Sequence, residues 1–262
     1  MVERGIRQGD SLSPLLFTII MDEIIKKVRE QRGYQMGNRE IKISCYADDA
    51  VLIAENEDDL QRLLYTFNIA STRINKCMTT SKTPLRCKLV VDDNIIEQVM
   101  EFNYLGIKIS SFGDIESEVR EQAIKAARTA SLLNNTIFRN KHLRMDAKAR
   151  IYKIAIRPIP TYAAETRPET SKTRQIMETT EMKIVRRIAG KSLWDRVRSE
   201  GLRKECQIEN INDRVLSRKV EWNDHITRMT DDRVVKKSRD KSPSGRRSLG
   251  RPRKRWSDSL TI

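Results

Sequence analysis

Residues 41 to 54, "IKISCYADDAVLIA", constrain this chain more than any other stretch, because two apolar runs flank a pair of adjacent acids, Asp48 and Asp49. Alternating and β-branched runs of this length read as strands. A break of two or three residues between them reads as a tight hairpin. The expected strands are Ile41 to Tyr46 and Ala50 to Ala54, joined through Ala47, Asp48 and Asp49. Adjacent side chains on a regular strand point to opposite faces, but at a hairpin tip both acids can lean toward one point. Oxygen donors so placed suit Mg²⁺, with Mn²⁺ as an alternative, because such an ion takes one or two carboxylates plus substrate phosphates. The same acids can also be plain turn formers.

The surrounding pattern is mixed. Residues 13 to 32 read as a helix with Ser13 as cap, Pro14 in the first turn and Gly33 beyond the end, and with Leu15, Leu16, Ile19, Ile20, Ile24, Ile25 and Val28 on a core face. The preceding loop, "GIRQGDS", leads into that helix N-terminus, where backbone N–H groups can face an anion or simply form a turn. Leu60, Leu63, Leu64, Phe67, Ala70 and Ile74 mark a second helix with Asp58 and Asp59 in its first turn. Short strands follow at Cys87 to Val91 and around Phe102 to Ile109, with a turn at 92 to 94. After Gly113 the periodicity is helical: Val119 to Leu133, Met145 to Ile156 ending near Pro158 and Pro160, then 171 to 189 and 212 to 229. The expected class is α+β, with a part over 1–113 of helix, β-hairpin, helix and short strands, an all-helical part over 114–229 and a tail over 230–262.

Charge is unevenly spread. The formal net charge is +15. From Arg233 to Asp258 eleven Lys/Arg face two Asp, so +9 of it sits in a polar, Gly- and Pro-punctuated tail read as a disordered basic arm. Its Arg251, Arg253, Lys254 and Arg255 can neutralise phosphates, and Trp256 can stack on a base; a nuclear-targeting signal or a solubilising tail fits the same composition. Cys45, Cys77, Cys87 and Cys206 form no CxxC pair, which speaks against a zinc module or a disulfide framework and for an intracellular protein of nucleus or cytoplasm. The N-terminus has no secretory pattern, and Asp22 and Glu23 interrupt the one long apolar run, so neither secretion nor a membrane partner is expected.

"GIRQGDSLSPLLF", "YADDAVLIA", "SKT" at 81 to 83 and "FNYLGIKIS" follow one another in the order and spacing of the polymerase palm of non-LTR retrotransposon reverse transcriptases. "ARIYKIAIRPIPTYAAET", "WNDHITRM" and "GRPRKRWSD" resemble the thumb and tail of insect-type endonuclease–reverse transcriptase proteins. Nearly the whole chain is covered. The resemblance implies an RNA-directed DNA polymerase acting by two-metal nucleotidyl transfer on an RNA template, a DNA primer and nucleoside triphosphates.

It implies Asp48 and Asp49 as catalytic metal ligands, and Tyr46 beneath the primer end. Gln8 and Gly9 would lie beside the nucleotide, with Arg7 on a phosphate and Lys82 near the triphosphate. Tyr104, Leu105 and Gly106 would grip the primer. Gln8 reads equally as an exposed loop amide, Lys82 as a surface lysine and "YLG" as a packed strand. The departures are Arg167 where the family tends to have Trp, an irregular "INKCMTT" before "SKT", and a start only a few residues before "RQG". The family's upstream aspartate and fingers are therefore expected to be missing, which would leave a truncated, inactive polymerase. The alternative is a non-catalytic nucleic-acid-binding protein derived from a retroelement.

Overall fold

The structure, a computed structural model, describes residues 9–68, 76–81, 83–241, 250 and 252–260. It divides into two compact units, residues 1–102 and 103–262.

In the first unit, helix α1 (Ser13–Arg29) is followed by two antiparallel hairpins, β1 (Tyr34–Met36) with β2 (Arg39–Ile41) and β3 (Ile43–Tyr46) with β4 (Asp49–Leu52). Sequence reading merges β2 and β3 into one strand. They are separate because Ile41 pairs back with Tyr34 while Ile43 pairs forward with Leu52. Helix α2 (Glu57–Asn68) starts on Asn56, whose Oδ1 accepts the Asp59 N–H at 2.8 Å, and Glu57, Asp58 and Asp59 complement the positive end of the helix dipole. Its Leu63 and Phe67 pack with Ile24 and Val28 of α1 over the inner face of the β3–β4 hairpin. A second small core, Leu64, Cys77, Leu89 and Ile96, joins α2 to the short strands β5 (Lys76–Cys77), β6 (Val90–Val91), β7 (Asn94–Ile95) and β8 (Glu97–Gln98). β6 and β7 form the hairpin expected at 92 to 94, with Asp92 and Asp93 both left-handed.

Two expectations for α1 are corrected. Ser13 is not the cap: Leu12 holds that position, and the Asp10 side chain, not Ser13, accepts the Leu12 N–H at 2.9 Å. Nor is the whole apolar face core. Ile24 and Val28 are buried, whereas Leu15 is 58% exposed and Ile19 57%, because the described part of the unit covers only the C-terminal half of the helix.

The division falls within β9 (Glu101–Tyr104), which pairs with β10 (Ile107–Ser110), and the second unit continues as helices: α3 (Ile115–Leu132), a π-helical turn Asn134–Phe138, α4 (Met145–Ile151) running into a π-helical turn Tyr152–Ile156, α5 (Ser171–Ile188), α6 (Ser199–Cys206), α7 (Ile211–Arg228) and α8 (Val234–Asp240). Asp114 caps α3 and a Thr170–Thr173 capping box starts α5. The main core gathers Ala126, Phe138, Tyr152, Ile156, Val185 and Leu202.

Charge is buried here. Glu181, 1% exposed, accepts from Arg203 Nη2 at 2.9 Å and from the Tyr152 hydroxyl at 3.2 Å. Burial pushes its carboxyl up, and the adjacent guanidinium opposes that shift.

The expected disordered arm is corrected for the residues described. Residues 234–240 form α8. Around the 3₁₀ turn Ser257–Ser259, the chain docks: the Trp256 indole N–H donates to the Glu165 carbonyl at 2.7 Å, and the fully buried Lys219 donates to Ser259 Oγ at 2.9 Å and to the Arg167 carbonyl at 3.0 Å. A buried ammonium requires such acceptors, and Ser259 satisfies one of its protons.

Candidate active site

The register of β3 and β4 sets the chemistry of the hairpin. Tyr46 lies opposite Asp49 and Cys45 opposite Ala50. Ile43, Ala50 and Leu52 pack on the α1–α2 core, so the alternation turns Tyr46 and Asp49 to the other, solvent face, where directly opposed side chains are neighbours. Asp48 follows in the two-residue turn. Ala47 begins that turn at φ +52°, a left-handed position that an alanine adopts at a cost of about 1–2 kcal/mol.

Asp48, Asp49 and Tyr46 are all exposed. Among the described residues no hydrogen bond or ion pair engages either carboxylate, and no group of three or more His, Cys, Asp or Glu is placed to hold a metal ion. Asp49 is the first residue of β4 rather than part of the tip, so the acids sit on the turn and on the strand immediately after it. Two oxygen donors open to solvent fit the partial ligand set of Mg²⁺ or Mn²⁺, whose other positions go to water and substrate phosphates. On the strand before the turn, partial burial raises the Cys45 thiol.

Gly9 lies exposed ahead of α1 with φ +89°, a conformation that favours glycine. Arg7, Gln8, Lys82 and Arg251 lie outside the described residues. Tyr104, Leu105 and Gly106 form the tip of the β9–β10 hairpin in the second unit. Leu105 and Gly106 are both left-handed, at φ +48° and +78°. The tip is clamped from within its own unit: the Tyr162 hydroxyl donates to the Leu105 carbonyl at 2.8 Å and Gln122 Nε2 to the Gly106 carbonyl at 3.1 Å. Arg253 Nη1 donates to the Phe112 carbonyl at 2.7 Å, Lys254 is exposed, and the Arg255 N–H donates to Asp258 Oδ2. Trp256, expected as a stacking surface, is half-buried with its N–H engaged.

Residues 1–109, which contain the Asp48–Asp49 hairpin, match the family described as reverse transcriptase (RNA-dependent DNA polymerase). Relatives carry the comparison to retrotransposons. The Pol polyprotein of a type-1 retrotransposable element R2 of Nasonia vitripennis is 31% identical over 135 residues, 44% of this chain and 13% of that protein. That of the type-2 element R2DM of Drosophila melanogaster is 29% identical over 136 residues, 45% of this chain and 13% of that protein.

Residues 1–109 are thus similar to reverse transcriptases, and the relatives that carry the likeness are those of R2 retrotransposable elements. The matched stretch spans about an eighth of the length of these two R2 polyproteins. A transposon-derived protein of Caenorhabditis elegans is 24% identical over 233 residues, 82% of each chain, and so extends the likeness through the helical unit. No described helix is long and apolar enough to cross a membrane.

Sequence reading misses two features of the second unit: the inward docking of 252–260, and a loop at 190–198 that holds the indole of Trp194 in solvent. The isolated Trp in each polar stretch is the available signal.

Proposed function

We propose that this chain is part of an RNA-directed DNA polymerase in which Asp48 and Asp49 hold the divalent ions of nucleotidyl transfer. The carrying observation is a pair of exposed, unpaired carboxylates on a strained hairpin within the segment that matches the reverse transcriptase family. Mg²⁺ or Mn²⁺ bound there would supply positive charge against the triphosphate and the attacking primer hydroxyl. Asp48 and Asp49 act as oxygen donors and orienters, and Tyr46, on the same face as Asp49, supports the primer end. Gly9 gives the "RQG" loop room beside the nucleotide, with Gln8, Arg7 and Lys82 on nucleotide and phosphate. The Tyr104–Gly106 tip positions the primer strand, and Arg251, Arg253, Lys254 and Arg255 contact phosphates. Residues 1–113 serve as a partial palm and 114–229 as a thumb-like region.

The described residues bring two carboxylates together, whereas a two-metal site takes a further one. As a 262-residue polypeptide the chain is therefore expected to be inactive or nearly so: a missing group of this kind lowers rate about a hundredfold or more. Two measurements test the proposal. Mn²⁺ binding followed by electron paramagnetic resonance should fall at least tenfold in Asp48→Ala, and primer extension on an RNA template should stay near background. Unchanged Mn²⁺ binding would overturn the site. Brisk extension abolished by Asp48→Ala would overturn only the inactivity.

A further inference from the structure

Between α5 and α6 the second unit carries a surface that the polymerase reading leaves unused. The chain leaves α5 through Gly190, at φ +64°, with the Lys191 N–H donating to the Arg186 carbonyl at 2.9 Å, which caps the helix. It then turns on Asp195. One carboxylate oxygen of Asp195 accepts both the Ser192 N–H at 2.6 Å and the Ser192 hydroxyl at 2.8 Å, and the Arg196 N–H donates to the Leu193 carbonyl at 3.2 Å. These bonds fix the two residues between them, Leu193 and Trp194. Trp194 is 92% exposed, and Leu193 beside it is exposed as well.

An indole held in water is costly unless something covers it, and the surrounding charge indicates what. From Met182 to Ser199 there are six cations, Lys183, Arg186, Arg187, Lys191, Arg196 and Arg198, against the single acid Asp195, a balance of +5. No ion pair within the described residues engages any of the six. Asp195 is occupied within the loop by Ser192. The last two turns of α5 and both sides of the loop thus offer cations in excess of acids around one protruding aromatic face, with only Lys191 felt by Asp195. A single-stranded nucleic acid presents the complementary set, unpaired bases with two π-faces each and a phosphate for every sugar. A duplex keeps its bases stacked and presents none to an upright indole.

We propose that the 190–198 loop is a single-strand RNA-binding platform, with one base stacked on Trp194 and adjacent phosphates held by Arg187, Lys191 and Arg198. The choice of RNA rests on the polymerase reading, in which the template is RNA; the platform itself rests on the loop geometry and the charge around it.

The test uses the full chain and a labelled twelve-nucleotide oligouridylate. Binding should quench tryptophan fluorescence, and Trp194→Ala should remove most of the quench and weaken affinity roughly 5- to 150-fold. The loop's own hydrogen bonds do not involve that side chain, so the variant should keep the wild-type circular dichroism and melting. Arg187→Gln with Lys191→Gln should lower the slope of log affinity against log salt by about 0.7 for each phosphate no longer neutralised.

Unchanged RNA affinity in Trp194→Ala would overturn the proposal, as would equal quenching by a twelve-base-pair RNA duplex. Self-association that needs Leu193 and Trp194 but no RNA would overturn it in favour of a protein-docking loop. The readout is binding, so its failure would leave the Mn²⁺ test at Asp48 standing, and the reverse also holds.

Discussion

The two units manage polar groups in opposite ways. The first keeps small cores and leaves its distinctive acids, Asp48 and Asp49, bare in solvent. The second takes charge inside: Glu181 with Arg203, and Lys219 with the Arg167 carbonyl and Ser259. A buried ion needs its partners at fixed distances, whereas an exposed carboxylate is free to accept a ligand from outside. The first arrangement suits binding and chemistry, and the second suits a rigid support.

The contrast can be broken most forcefully at Glu181. Glu181→Ala leaves the Arg203 guanidinium short of its buried acceptor and should destabilise the second unit by about 3–5 kcal/mol. Thermal unfolding followed by near-ultraviolet circular dichroism would record it, and a loss under about 1 kcal/mol would mean that water already reaches the pair.

A medium effect is expected for Trp256→Ala, which removes half-buried aromatic surface and the donor to the Glu165 carbonyl. About 1–3 kcal/mol should be lost. Limited trypsin digestion should then cut at Arg253 to Arg255 well before the rest of the unit, and equal rates for both proteins would disprove the docking.

The smallest effect belongs to the first unit. Ile19→Lys changes a side chain already mostly in water, so chemical denaturation should shift by no more than about 0.5 kcal/mol, while the concentration at which the protein aggregates rises. A large destabilisation would show that Ile19 is covered in solution.

Much of this architecture is readable from residue patterns. Leu63, Leu64 and Phe67 mark α2, and the helical periods at 171–189 and 212–229 fall within a residue of α5 and α7. The paired acids can be assigned to a hairpin because the flanking apolar runs admit little else.

Three things are not readable. Periodicity shows which residues of α1 share a face but not where the cover stops, so Leu15 and Ile19 pass for core. Average composition hides the docking of 252–260, because a few side chains, Trp256 and Ser259 among them, outweigh the arginines around them. Sequence pattern groups the β9–β10 hairpin with the N-terminal part. Its carbonyls are held by Gln122 and Tyr162, residues 16 and 57 positions away, which no local pattern encodes.

The Lys219–Ser259 bond also sets a timetable. Its two ends are separated by 40 positions, so a ribosome adding about 5–20 residues per second leaves the ammonium without its hydroxyl partner for roughly 2–8 s. Through that interval Lys219 has only the Arg167 carbonyl of its two acceptors to turn to.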